Sequence, residues 1–205
     1  ITRGRLRLKV MFPEADDRFF NKPFKKGNPN DHHTRILRDE KTLMLHRKQD
    51  TTEYYVTLGK TQAPLRLEKA SKHLIYIQPE QSSTQFSCSF HFSPGKPDRH
   101  VSRYSSTRKK SAISWKDFWR SGGAVDFSAC SDERAKELER RVILSQYLTR
   151  LQCSGVLPPQ ETGLTFNSWH GKFHLEMHWW HGVHWGLWQR GQFLEQQMQF
   201  YGDIW

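Results

Sequence analysis

Apolar residues recur at every second position, in short runs, as far as about Arg108. Arg5 to Phe12 (RLRLKVMF) alternates basic and apolar side chains, as a strand with one wet face does. The runs TLMLHR (Thr42–Arg47), EYYVTLG (Glu53–Gly59), PLRLEK (Pro64–Lys69) and LIYIQ (Leu74–Gln78) follow. KQDTT and KTQA between them read as turns. FSCSFHF closes the series, with Phe86, Cys88, Phe90 and Phe92 on one face and Ser87, Ser89 and His91 on the other. Short strands with no helical period between them predict an antiparallel β sandwich over residues 1–108. Phe19 to His33 is rich in Asn, Pro and Gly and reads as a long loop.

The period then changes. Ser102 to Ser111 (SRYSSTRKKS) is basic and reads as a solvated linker, and residues 109–130 as linker plus a short helix. In Ser111–Gly123, Trp115, Phe118 and Trp119 fall at i, i+3 and i+4, an aromatic face stopped by Gly122-Gly123. From residue 131 onward the pattern is helical. Ser131 is the expected N-cap, with Asp132 and Glu133 in a first turn whose dipole favours acids. Leu138, Val142, Leu144, Tyr147, Leu148 and Leu151 form an expected buried stripe, Glu137 and Arg141 an i,i+4 pair, and Gly155 a stop. A further helix is expected over about His174–Arg190, and another from near Gln192.

The chain has 205 residues and a formal charge of +11. It opens on Ile1 and closes on YGDIW just after an aromatic run, so it reads as an internal piece of a longer protein. No window approaches the ~18 apolar residues of a membrane span, and no membrane partner is expected. Cys88, Cys130 and Cys153 follow no metal or redox spacing and read as isolated thiols. The basic residues are scattered, which argues against a nucleic-acid partner, although a basic, aromatic nucleic-acid binder is a rival reading.

Chemistry concentrates in Pro158–Arg190, which holds five His, five Trp, two Glu and one Lys. Rings with one polar edge suit a wall that touches something polar and flat-faced, a sugar or a nucleobase. His174, His178 and His181 share a helix face, but Leu175 occupies the position where a zinc-protease motif has Glu, so no metal is expected. Trp185 and Trp188, with Val183 and Leu187, read as packing between helices. Trp169 lies among small and polar residues, where a ring has reason to sit if something stacks on it. Glu161 and Glu176 flank the aromatic loop, and glycoside hydrolysis uses paired carboxyl groups.

The string W-x-x-F-W-x-S-G-G-A-V-D-F, a long helix, then Q-E-T-G-L-T-x-N-S-W-x-G-K-F-H-x-E-M-H-W-W-H resembles the six-hairpin glycosidases (trehalase-, glucoamylase- and maltose-phosphorylase-like proteins), above all a mostly bacterial glycosidase-like group. The resemblance is strong over about Trp115–Arg190. It implies an α+β protein: the β sandwich followed by the first helices of an (α/α)6 toroid, residues 131–205 opening that barrel. It further implies cleavage of a glycosidic bond by water or phosphate, inverting, with an oligosaccharide or glycoside substrate and no cofactor. Periplasmic or secreted bacterial location goes with it. On these matched positions, Glu176 is the catalytic candidate, with the general acid expected beyond Trp205. Trp169, Lys172, His174, Glu176, His178, Trp179 and Trp180 are the expected substrate contacts. Where relatives have Trp-Asp this chain has Trp180-His181, and a sugar-binding protein without catalysis is the alternative reading.

Overall fold

In a computed structural model of the chain, residues 7–12, 30–38, 43–59, 61, 64–81, 84–97, 101–164 and 169–204 are described. Contacts divide the chain into two compact units, the division falling between Ile113 and Ser114. The elements in chain order are β1 (Leu8–Met11), β2 (His33–Arg38), β3 (Leu43–Gln49), β4 (Thr52–Leu58), β5 (Leu65–Ser71), β6 (Leu74–Pro79), β7 (Phe90–Ser93), α1 (Tyr104–Arg120), α2 (Ala135–Gln152), α3 (Leu175–Leu187) and α4 (Gln192–Asp203). The protein is α+β.

The strands form two antiparallel sheets, ordered β1-β6-β5 and β2-β3-β4-β7. Alternation sends Leu45, Val56 and Leu58 from one sheet and Ile75 and Ile77 from the other into a single buried cluster with Phe12. Full burial of each such side chain contributes about 1.5–3 kcal/mol, so this cluster is what holds the sheets together. A two-residue loop, Asp50-Thr51, joins β3 to β4 after the pair Gln49↔Thr52. Asp50 takes φ 51°, the left-handed conformation that such tight loops require and that Asp tolerates.

Several expectations are corrected here. β2 was not foreseen; the loop reading ran to His33, whereas His33 already pairs with Lys48. The last strand starts at Phe90, later than expected; one bond in the same register, Gly59 N–H to Ser89 O at 2.8 Å, precedes it, and there the Ser89 hydroxyl turns to donate to Ser102 O at 2.5 Å. Phe92, which shares a face with Phe90, is 66% exposed. The basic stretch from Tyr104 onward is helix and not loop. Thr107 N–H and its hydroxyl both bond Arg103 O, and Lys and Arg extend a helix readily even with no face buried. Arg5 and Leu6, residues 19–29 of the expected loop, residues 165–168 of the aromatic loop, and Trp205 lie outside the described residues.

The helical unit is built around rings. Phe118 of α1, Trp185 of α3 and Phe193 of α4 meet edge-on or tilted at 4.9–6.4 Å between centroids. Trp115 packs on Tyr147 of α2 at 4.8 Å. α2 starts at Ala135, later than Ser131 predicted. Asp132 caps from outside instead, accepting Arg134 N–H on its carboxylate and Ala135 N–H on its backbone oxygen. The Glu137–Arg141 pair forms at 2.8 Å. The expected buried stripe does not form: Leu138, Leu144, Tyr147, Leu148 and Leu151 are all exposed, and the helix buries Ala135 and Gln146. The stripe is apolar, and apart from Trp115 against Tyr147 it stays about half open among the described residues.

Candidate functional site

Helix α3 has two faces with opposite characters. Its inner face carries His178 and Trp185, 3% and 1% exposed; Trp179 and Trp180 on the outer side are 60% and 59% exposed. Gly182 lets α4 come close, since a Cβ there would stand 2.7 Å from Leu194 Cδ1.

The inner face is a hydrogen-bond lattice. Gln197 of α4 commits its amide nitrogen to Cys153 O at 2.6 Å and Gly155 O at 3.2 Å, which leaves its oxygen to accept from His178 Nε2 at 3.0 Å. The proton is therefore on Nε2, and Nδ1 accepts from the Tyr201 hydroxyl at 2.7 Å. Both ring nitrogens of His178 are occupied, so the structure places this expected sugar contact in the core. His181 bonds the backbone oxygen of Glu161 through Nε2 at 3.0 Å. Burial foremost pushes the pKa values of His181 and His184 down, which keeps these imidazoles neutral near pH 7.

Arg190, just past α3, is fully buried. Its guanidinium donates to Gly123 O and Gln146 Oε1, both at 2.9 Å, and to Phe118 O at 3.1 Å, and lies 4.2 Å over the Phe118 ring. Gly122 beside it has φ +73°, and a Cβ there would meet Trp188 O at 2.3 Å, so only glycine lets the end of α1 reach this turn. Trp185 is core as expected and Trp188 half-buried, but Leu187 is 77% exposed.

The outer face begins in the turn before α3. Trp169, His170 and Gly171 take φ 48°, 61° and 68°, three consecutive left-handed residues of which two have side chains. Each such non-glycine residue costs on the order of 1 kcal/mol, and strain of this kind gathers at functional sites. The turn holds Trp169 40% exposed and edge-on to His174 at 5.6 Å. In the first turn of α3, Glu176 accepts the Trp180 indole N–H at 3.3 Å. Lys172 is exposed. The expected contacts are thus divided: Trp169, and Glu176 with Trp180 and its neighbour Trp179, reach solvent, His174 is half-buried with its Nε2 shielded, and His178 faces inward.

Compared with known protein families, curated proteins and solved structures, the chain matches none.

Among the described residues no group of His, Cys, Asp and Glu is placed to hold a metal ion, and no helix is long and apolar enough to cross a membrane. Arg190, Gln146, Gln197 and Tyr201 escaped the sequence reading. Gln197 and Tyr201 stand one turn apart on α4, a spacing visible in the sequence; that they face His178 follows only once α3 and α4 are paired. What the outer face offers chemically is aromatic surface beside one carboxylate, with a cation and an imidazole on the preceding turn.

Proposed function

We propose that the chain is part of a carbohydrate-active enzyme of the six-hairpin glycosidase kind, and that the outer face of α3 and the turn before it contact the sugar. The observation that carries this is the pair Trp179 and Trp180, each about 60% exposed beside Glu176. An indole left in water presents a flat apolar face to the C–H side of a pyranose, and the adjoining carboxylate accepts from hydroxyls. Trp169, Lys172 and His174 supply the further contacts, and His178 braces the helix that carries them. In this reading α2–α4 belong to an (α/α)6 toroid, supported by the half-open apolar stripe of α2, which further helices of such a ring would bury. Glu176 is one carboxyl of an inverting pair, its partner standing about 6.5–9.5 Å away across a water and coming from outside this chain.

A second reading rests on His181. Where the glycosidases it resembles place Asp after this Trp, the chain has a half-buried imidazole bonded to Glu161 O, with its pKa lowered by burial. It supplies no carboxylate to the sugar, which favours a protein that binds glycans and does not cleave them.

Titration calorimetry against neutral oligosaccharides, with product analysis on the same samples, separates the readings. Binding that weakens roughly tenfold or more in Trp180→Ala and Glu176→Gln supports the site; binding unchanged in both removes it. Turnover lost in Glu176→Gln favours the enzyme, and tight binding with no turnover the second reading.

A further inference from the structure

The sheet-bearing unit has a cleft of about 1070 Å³ whose walls include Leu8 of β1, Gln85 and Phe86 ahead of β7, and Arg103, Tyr104 and Arg108 at the start of α1. It is a built feature. The bonds from Gly59 to Ser89 and from Ser89 to Ser102 lace the end of β4, the segment ahead of β7 and the approach to α1 into one wall. Residue 59 must be glycine for this, because a Cβ would stand 2.1 Å from Ser89 Oγ and 3.0 Å from Ser102 O.

The charge lining the cleft has one sign. Among its described residues there are two guanidiniums and no carboxylate, and the first turn of α1 carries no acid to offset them. Guanidinium forks match carboxylate and sulfate oxygens in pairs. The remaining lining is hydroxyl, amide and aromatic: Thr84, Ser105, Tyr104 and Gln85 for hydrogen bonds, Phe86 for apolar contact. The size lies just above the range of roughly 300–1,000 Å³ for small-ligand sites, which suits a few sugar rings and not a long polymer groove.

We propose that this cleft binds a short anionic saccharide, its carboxylate or sulfate held by Arg103 and Arg108. The anion half stands on the cleft alone; the saccharide half rests on the carbohydrate reading above.

Calorimetry on the full chain at low ionic strength tests it with a uronate disaccharide, a sulfated disaccharide, a neutral disaccharide and adenosine monophosphate. The expected result is that at least one acidic disaccharide binds, with the neutral one roughly tenfold or more weaker, since charge-assisted bonds are the strong ones. Which acidic sugar binds identifies the anionic group. Arg103→Gln with Arg108→Gln should lower that affinity by about tenfold or more, with circular dichroism unchanged because both side chains are exposed. Lys109→Gln with Lys110→Gln removes the same charge from the same helix outside the lining, and should leave affinity within about twofold. Equal loss in both pairs, tighter binding of the nucleotide, or no binding of either acidic sugar would overturn the proposal. Trp179→Ala with Trp180→Ala separates the two sites. Acidic-sugar affinity lost there and kept in the arginine pair sinks the cleft while the tryptophan face stands. Cleft-dependent acidic binding with no neutral sugar bound anywhere sinks the tryptophan face while the cleft stands.

Discussion

The two units solve the problem of a core in opposite ways. The sheet unit buries Leu45, Val56, Leu58, Ile75 and Ile77 at 5% exposure or less, an aliphatic interior that two alternating sheets produce without further instruction. The helical unit buries Arg190, Gln197, Gln146 and His178 beside Trp185, and leaves much of its Leu and Trp outside. Apolar burial is tolerant of detail, whereas a buried polar lattice is stable only when its groups are matched. The helical unit therefore uses directional bonds to fix where α3 sits, and its apolar surface remains available for a ligand or for further protein.

That contrast can be broken first at Arg190. Arg190→Ala removes three donors and strands Gly123 O, Gln146 Oε1 and Phe118 O, which at about 1–3 kcal/mol for each stranded group should cost the helical unit roughly 3 kcal/mol or more. Leu45→Ala, the matched lesion, should cost the sheet unit roughly 2–5 kcal/mol through cavity formation. The units report separately: all eight Trp lie at or beyond Trp115, so indole fluorescence follows the helical unit, and hydrogen exchange at β3 and β4 follows the other. Arg190→Ala should lower the fluorescence transition and spare the exchange, with Leu45→Ala doing the reverse. A single shared transition for both variants would remove the distinction.

Among the described residues the sheet unit buries a polar cluster of His32, Thr34, Arg47 and His73, and acid should find it. His32 stacks on His73 at 3.6 Å; Arg47 donates to Thr34 Oγ1 at 2.8 Å, which leaves the Thr34 hydroxyl to donate to His73 Nδ1 at 2.8 Å. His32 is 3% exposed, and its pKa is lowered to about 4, by burial first, then by His73 and Arg47, with His33 adding slightly and Asp31 opposing. The unfolded chain binds the proton near pH 6.5 and the folded one only near 4, so this contribution is complete above 6.5 and lost as pH falls towards 4. The loss is roughly 3 kcal/mol. His32→Gln should flatten the pH dependence of β3 and β4 exchange between pH 4 and 6.5. An unchanged slope would show that the cluster does not matter.

The smallest effect sharpens the comparison from the surface. Leu148 of α2 is 41% exposed, so Leu148→Glu should change stability by no more than about 0.5 kcal/mol and should improve solubility. Destabilisation well beyond that would mean the stripe is covered in solution.

Legibility followed the same divide. Most strands could be read because alternation alone states which side is inside, and Asp50-Thr51 fell where polar residues interrupt it. β2 was lost beside an Asn- and Pro-rich stretch, and the first part of α1 because Tyr104–Lys110 buries nothing and so shows no period. The α2 stripe misled for a physical reason: a pattern reveals which face is apolar, not whether anything meets it. Trp169, Glu176, Trp179 and Trp180 were legible as unusual residues, and the three tryptophans are 40% exposed or more. The inward turn of His178 was not, because it depends on Gln197 and Tyr201, 19 and 23 residues away.

We propose that α3 holds the fold with one face and meets sugar with the other. The most direct test measures melting and oligosaccharide affinity together on His178→Ala and on Trp179→Ala with Trp180→Ala. The account predicts a crossed result: His178→Ala loses about 2 kcal/mol of stability by stranding Gln197 and Tyr201, while the tryptophan pair keeps its melting temperature and loses binding. A tryptophan pair that binds oligosaccharide as the parent chain does, or that melts as early as His178→Ala, would contradict it.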